Sequence, residues 1–251
     1  MNLTGLDVSI LGPAFVAGML VLVTHVPLGM QVLDRGIVFI DLAIAQMAGI
    51  GVIAADALGF EPQGWAVQVA ALVAALLGAL LLTWTERRWP QTQEALIGVL
   101  FVLASCAGVL LLAGNPHGGE HLKDLLVGQV LWVTPGQLVV MAGVTAALAG
   151  AWFAGASRFG RLGFYLLFAV AVTASVQLVG VYLVFSSLII PALATRGFAR
   201  YRLPLAYLLG AVAYLVGLIL SALFDLPSGA VIVFVMAGGG VLPSLLAARQ
   251  H

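Results

Sequence analysis

The chain has 251 residues, 63% hydrophobic and 8% charged, with ten basic and ten acidic side chains that cancel at pH 7. Soluble domains carry about 25% charged residues, so this composition cannot coat a water-soluble globule. The apolar runs recur from end to end, which predicts residues 1–251 as a single transmembrane domain with no separate soluble part. No basic segment precedes the first run, which therefore reads as a retained helix rather than a signal peptide. The one cysteine, Cys106, lies in an apolar run, which excludes a disulfide framework and a cysteine-based metal cage.

In chain order the apolar runs fall at 10–26, 37–58, 65–84, 95–113, 137–154, 164–179, 180–194, 205–224 and 228–246. Each is long enough, or nearly so, to cross about 30 Å of hydrocarbon. An all-α polytopic membrane protein with eight or nine membrane segments is expected. Arg35, Arg87 with Arg88, Arg158 with Arg161, Arg196 with Arg200 and Arg202, and Arg249 occupy five places between runs, and only Lys123 lies elsewhere. The positive-inside rule makes those five places cytoplasmic, with the N-terminus outside and the C-terminus inside.

The stretch Phe164–Thr195 has no formal charge and is flanked on both sides by arginines assigned to the cytoplasm. An even number of crossings must separate those flanks, so one over-long helix fails and a pair broken near Gly180 fits. Each half would have 15–16 residues, roughly 24 Å at 1.5 Å per residue. Short, glycine-interrupted membrane segments mark transport paths in many carriers; a tilted pair without a path role is the alternative.

Five stretches resemble the membrane permease of the metal-type ABC importers. They are RGIVFIDLAIAQMAGIGV (35–52), EALIGVLFVLA (94–104), LVGQVLWVTPGQL (126–138), VGVYLVFSSLIIPALATRGFAR (179–200) and LSALFDLPSGAVIV (220–233). The resemblance implies an all-helical permease of a bacterial cytoplasmic membrane that imports zinc, manganese or iron. It also implies three partners: a second permease copy or homologue, a cytoplasmic ATPase and an extracytoplasmic metal-binding protein. No covalently bound cofactor and no nucleic acid are implied. No GxxxxGK[ST] occurs in the chain, so ATP hydrolysis is expected on a separate subunit.

Two departures stand out. The family commonly carries a histidine four residues after the aspartate matching Asp41; here that position is Ala45, with Gln46 beside it. Imidazole suits zinc, whereas an amide oxygen is a weaker, harder ligand, so the ion stays open. The family also has a longer cytoplasmic stretch between the fifth and sixth runs, where a coupling helix docks on the ATPase. Here the link is only Gly155–Gly163. Coupling would then use Arg158, Phe159 and Arg161, or the Arg196, Arg200 and Arg202 segment. A membrane scaffold that no longer couples to ATP is the rival reading.

Asp41 lies about one turn inside the second run. Intramembrane carboxylates are expensive and face a cavity or a partner. Ala45, Ala48, Val52 and Ala55 share its helix face, while Gln46 lies about 140° away. Asp41 is thus a candidate cation station, or else a structural carboxylate paired with Arg35 or capped by a neighbouring helix. Gln177, Ser186 and Ser187 flank the break and could offer oxygens to an ion; with Asp41 and Gln46 they complete the candidate path. For Gln68, Thr173 and Ser175, interhelical hydrogen bonds are expected. His117, Glu120 and His121 spell HxxEH, but Pro116 and Gly118-Gly119 make a turn there, so a weak outward metal-collecting loop is a better reading than a zinc peptidase. His25, ahead of Pro27, is expected to be capped or solvated at the end of the first run. Trp65, Trp84, Trp89 and Trp132 lie near run ends as interface anchors.

Overall fold

A computed structural model describes residues 7–61, 64–112, 126–153, 160–198 and 200–248. Among them the chain forms nine helices and no strand: α1 (Val8–Arg35), α2 (Ile40–Ala57), α3 (Trp65–Arg88), α4 (Gln93–Leu112), α5 (Pro135–Phe153), α6 (Gly160–Val179), α7 (Val181–Ala194), α8 (Arg202–Phe224) and α9 (Ser228–Ala248). Short 3₁₀ turns stand at Pro90–Thr92 and Val130–Trp132. Seven helices are long and apolar enough to cross a membrane, and α7 and α9 contribute two further apolar helices. The nine apolar runs thus become nine helices in the expected order.

The first run differs from expectation by continuing past Pro27 to Arg35. Proline removes one backbone donor from a helix and strands the carbonyl four residues earlier. That carbonyl belongs to Val23, and the Tyr207 hydroxyl of α8 donates to it at 3.1 Å. A tertiary contact thereby repairs the ladder, and the helix ends only at Gly36. There φ is 70°, Gly36 N–H donates to Leu33 O and Ile37 N–H donates to Val32 O, a Schellman closure. At the other end the Asp7 carboxylate accepts from Ser9 N–H at 2.8 Å and caps the helix.

The basic ends of six helices meet through direct contacts. Arg202 at the start of α8 pairs with Asp34 at the end of α1, 3.4 Å apart. Arg35 lies 4.2 Å over the Phe164 ring of α6. Arg161 of α6 pairs with Glu86 of α3 at 3.3 Å. Gln93 of α4 donates to the Tyr165 hydroxyl at 3.1 Å and accepts from Thr85 Oγ1 at 3.0 Å. Phe39 N–H, at the start of α2, donates to Glu94 of α4 at 3.2 Å. Every one of these helices therefore has its arginine-bearing or adjoining end on the same side. Cysteines placed at Arg88 and Arg200 should label from one side of the membrane, and a cysteine at the exposed Leu58 from the other. Labelling of positions 88 and 200 from opposite sides would refute this arrangement.

The break in the long uncharged stretch falls at Gly180, between α6 and α7. The halves are unequal, which corrects the expectation of two short ones. Gly160, Arg161, Leu162 and Gly163 join the helix, so α6 has 20 residues and α7 has 14. At 1.5 Å per residue these span about 30 and 21 Å. Gly180 has φ 80° and ψ 160° and packs back to back against Gly128, whose φ is 71°. A Cβ on either glycine would overlap the other's backbone. From this crossing α7 returns toward the basic end, packed among α1, α8 and α9. Its tightest approach is at Gly29, where a Cβ would collide with the Leu188 carbonyl. Small residues that let backbones touch are how helices associate where no hydrophobic force separates helix from lipid.

Candidate transport path

Asp41 stands in the first turn of α2 and is completely buried. Neither carboxylate oxygen has a hydrogen-bond partner among the described residues. The alternative of a pair with Arg35 is not realised, because that guanidinium is spent on the Phe164 ring. The helix dipole alone favours the carboxylate here, a contribution of about 0.3–1 kcal/mol at exposed sites. Burying a carboxylate without a partner costs several kcal/mol. A group held at that cost in a membrane helix marks a place where an ion or a proton is handled.

The stripe above Asp41 is small and dry: Ala45, Ala48 and Ala55 are all buried. Gly51 and Met47 turn toward α3, where Gly51 abuts the backbone of Ala70 and Ala71 and Met47 abuts Gly78. Ile53 turns the other way, onto Gly108 of α4. Asp41 therefore points between α3 and α4, toward α6. A small cavity of about 20 Å³ lies between α2 and α4. It is lined by Ala45, Gln46, Ser105, Val176 and Val181, among others, so it touches the Gly180 break. About 10–15 Å³ suffices for one water-sized occupant. Gln46 faces this cavity, and Asp41 is not among its lining residues. A larger open groove of about 620 Å³ between α2 and α4 is lined by apolar residues such as Phe39, Leu42, Gly98 and Phe101, and offers an ion nothing.

The remaining candidates do not converge on one pocket. Gln177 is half-buried and Ser186 buried, but neither lines the small cavity. Ser187 is engaged elsewhere, with its hydroxyl 3.0 Å from that of Tyr214 on α8. Thr173 and Ser175 depart from expectation: they are buried, yet their hydroxyls have no partner. Gln68 is exposed on the side of α3 and makes no side-chain hydrogen bond among the described residues. His25 is a correction too. It is fully buried in mid-helix, with Nδ1 3.0 Å from both Val21 O and Thr24 Oγ1 and with Nε2 unpartnered. Continuation of α1 through Pro27 is what moved it inside. The four tryptophans are exposed at helix ends, as interface anchors should be.

Of the arginines, Arg161 and Arg202 are committed to Glu86 and Asp34. Arg196 and Arg200 are exposed, without an acidic partner among the described residues; Arg200 lies 5.8 Å from the Tyr201 ring. Arg158 and Phe159 lie outside the described residues, as do His117, Glu120 and His121. Among the described residues no group of three or more His, Cys, Asp or Glu could hold a metal ion. Two residues escaped the sequence reading. Ser105 joins Gln46 at the cavity, and Glu94 reaches the start of α2. Glu94 opens one of the five quoted stretches, but its target, Phe39, is 55 positions away, and no local pattern signals that contact.

The chain matches the ABC 3 transport family over residues 7–155 and 153–246. It is 27% identical to the manganese transport system membrane protein MntC of Halalkalibacterium halodurans, over 92% of this chain and 85% of that one. It is 24% identical to the high-affinity zinc uptake system membrane protein ZnuB of Haemophilus influenzae, over 91% and 94%. Its fold superposes on PsaBC from Streptococcus pneumoniae in complex with Fab with a TM-score of 0.74 at 24% identity, covering 97% of this chain and 95% of that one. The two sequence relatives are named as membrane proteins of a manganese transport system and of a zinc uptake system. The chain belongs to the ABC 3 transport family.

Proposed function

We propose that this chain is the membrane permease of an importer for a divalent metal ion, and that Asp41 is a station on the ion's route. The observation that carries the reading is the fully buried Asp41 carboxylate, which has no partner on either oxygen. The manganese and zinc systems named among the relatives support the substrate class. The oxygen donors near the path (Asp41 carboxylate, Gln46 amide, Ser105 hydroxyl) suit manganese better than zinc. A conducting site must also hold its ion loosely enough to release it, in keeping with so sparse a donor set. The basic end is cytoplasmic on this reading, and a second permease copy, an ATPase and an extracytoplasmic metal-binding protein complete the assembly.

For coupling, the free arginines point to the segment between α7 and α8. Arg161 and Arg202 have intramolecular partners, which leaves Arg196 and Arg200 to meet an acidic cleft on the ATPase. Exposed charges at such a contact set encounter and register. The test is co-purification with the neighbouring ATPase, followed by Mn²⁺-dependent hydrolysis in liposomes. Paired reversal, Arg196→Glu with Arg200→Glu, should cut ATPase recovery by about tenfold or more. Reversal of Arg158 and Arg161 should also lower it if the α5–α6 link shares the dock. Wild-type recovery by both double variants would remove both segments from the coupling role. Failure of the wild-type chain to recover any ATPase would leave the scaffold reading in its place.

A further inference from the structure

We propose that Glu94 is the second carboxylate of the ion's route, taking the cation from Asp41 at the basic end of α2. This rests on the reading of Asp41 as a cation station. Glu94 stands in the first turn of α4, and its Oε1 accepts from the backbone N–H of Phe39, the residue that caps α2. That bond anchors the carboxylate at the helix end that carries Asp41 two residues on. Side chains in an α-helix lean toward its N-terminus, so Asp41 leans toward the end where Glu94 is fixed. The second Glu94 oxygen, Oε2, is buried and unpartnered, as are both oxygens of Asp41.

A capping role, toward the backbone N–H groups of Phe39 and Val38, accounts for only part of this. A cap needs an acceptor for a backbone N–H, which a glutamine carbonyl supplies without charge. The negative charge and the idle buried oxygen are in excess of what a cap requires. Glu86 provides the contrast. It too has a buried unpartnered Oε2, but its charge is met by Arg161 at 3.3 Å. No cation lies on Glu94 among the described residues. Two carboxylates without a cation therefore belong to one helix end, Asp41 in the first turn of α2 and Glu94 bonded to its cap.

Charge balance gives that pair its purpose. A divalent cation on a single carboxylate keeps a net positive charge, which is costly away from water and is further disfavoured at a helix N-terminus. A second carboxylate neutralises the ion and outweighs the helix dipole. The two groups also differ in depth: Asp41 is fully buried, whereas Glu94 is only partly so. Together they form a step from the interior toward the basic surface, with oxygen ligands throughout, and the ion completes its shell with water as hard divalent ions readily do.

The experiment uses the permease assembled with its ATPase in liposomes, with Mn²⁺ as probe. Glu94→Gln keeps the acceptor for Phe39 N–H and removes the charge. Its maximal uptake should fall by about tenfold or more at unchanged assembly and melting temperature. Glu94→Asp should recover part of the loss. Wild-type uptake by Glu94→Gln beside an inactive Asp41→Asn would leave Glu94 a cap and overturn the handover, with the Asp41 reading intact. Normal uptake by Asp41→Asn would remove the station itself, and the handover with it. A measurement on the unaltered protein covers the case in which Glu94→Gln does not assemble. Mn²⁺ should protect both Asp41 and Glu94 from a hydrophobic carbodiimide, read by mass spectrometry; protection of Asp41 alone overturns the proposal.

Discussion

Asp41→Asn is expected to abolish metal uptake while leaving the permease folded, assembled with its ATPase and more heat-stable than the wild type. The first half follows from the carboxylate's position on the proposed route. A neutral amide cannot offset the charge of a dication away from water, and uptake should fall by about two orders of magnitude or more. The second half follows from burial without a partner. Asp41 has no hydrogen bond to lose and no ion pair to break, so the substitution removes a desolvation penalty and little else. In a chain of this size each ~1 kcal/mol moves the melting temperature by about 2–4 °C. Uptake into liposomes and a thermal melt in detergent read the two halves separately. Retained uptake would make Asp41 structural. A lowered melting temperature would show that something in the assembly compensates its charge.

Gly180→Ala and Gly128→Ala should each sharply lower the yield of folded protein. The backbone at Gly180, φ 80° and ψ 160°, lies in a region that is essentially glycine's alone and costs another residue about 1–3 kcal/mol. The added methyl would also overlap the Gly128 amide and the Val127 carbonyl carbon, both of them backbone that cannot rotate aside. At Gly128 the methyl would meet the Val179 carbonyl. Overpacking of this kind adds about 1–3 kcal/mol more, a large share of the 5–15 kcal/mol that stabilises an ordinary domain. Monodisperse yield after detergent extraction is the measurement. Gly143→Ala on α5 is the control. A Cβ there meets nothing within 4 Å, and alanine is the better helix former by about 1 kcal/mol. Equal yields from all three variants would mean that the two backbones separate without cost.

These two sites differ in how far the sequence reveals them. The Gly180 break is legible because parity constrains it: arginines on both flanks of an uncharged stretch demand an even number of crossings, and one glycine lies near the middle. Burial of Asp41 is legible for a related reason, since a carboxylate one turn inside an apolar run has nowhere else to be. The unequal lengths of α6 and α7 are hidden because Arg161 is charged but helical, held to the bundle by Glu86. The extent of α1 is hidden because the group that tolerates Pro27 is the Tyr207 hydroxyl, 184 positions from Val23. His25 is misplaced as a consequence. Glu94 is hidden because its partner is a backbone N–H, which no residue type announces. Each miss is a case where a distant side chain satisfies a backbone or charged group that local pattern leaves open.

The shortness of α7 bears on how the protein meets bilayers of different thickness. Its ~21 Å falls well below the ~30 Å of hydrocarbon that a spanning helix must match. A helix that short at the protein's rim would thin the membrane around it or drag neighbouring lipids inward. Yet only Tyr182 and Leu193, near its two ends, expose much surface, and α1, α8 and α9 sheathe the rest. Annular lipids therefore grip the longer outer helices and not α7. Acyl-chain length should then tilt the periphery while the Gly128–Gly180 crossing keeps its depth, so the inner half of the carrier is mechanically insulated from the membrane that houses it.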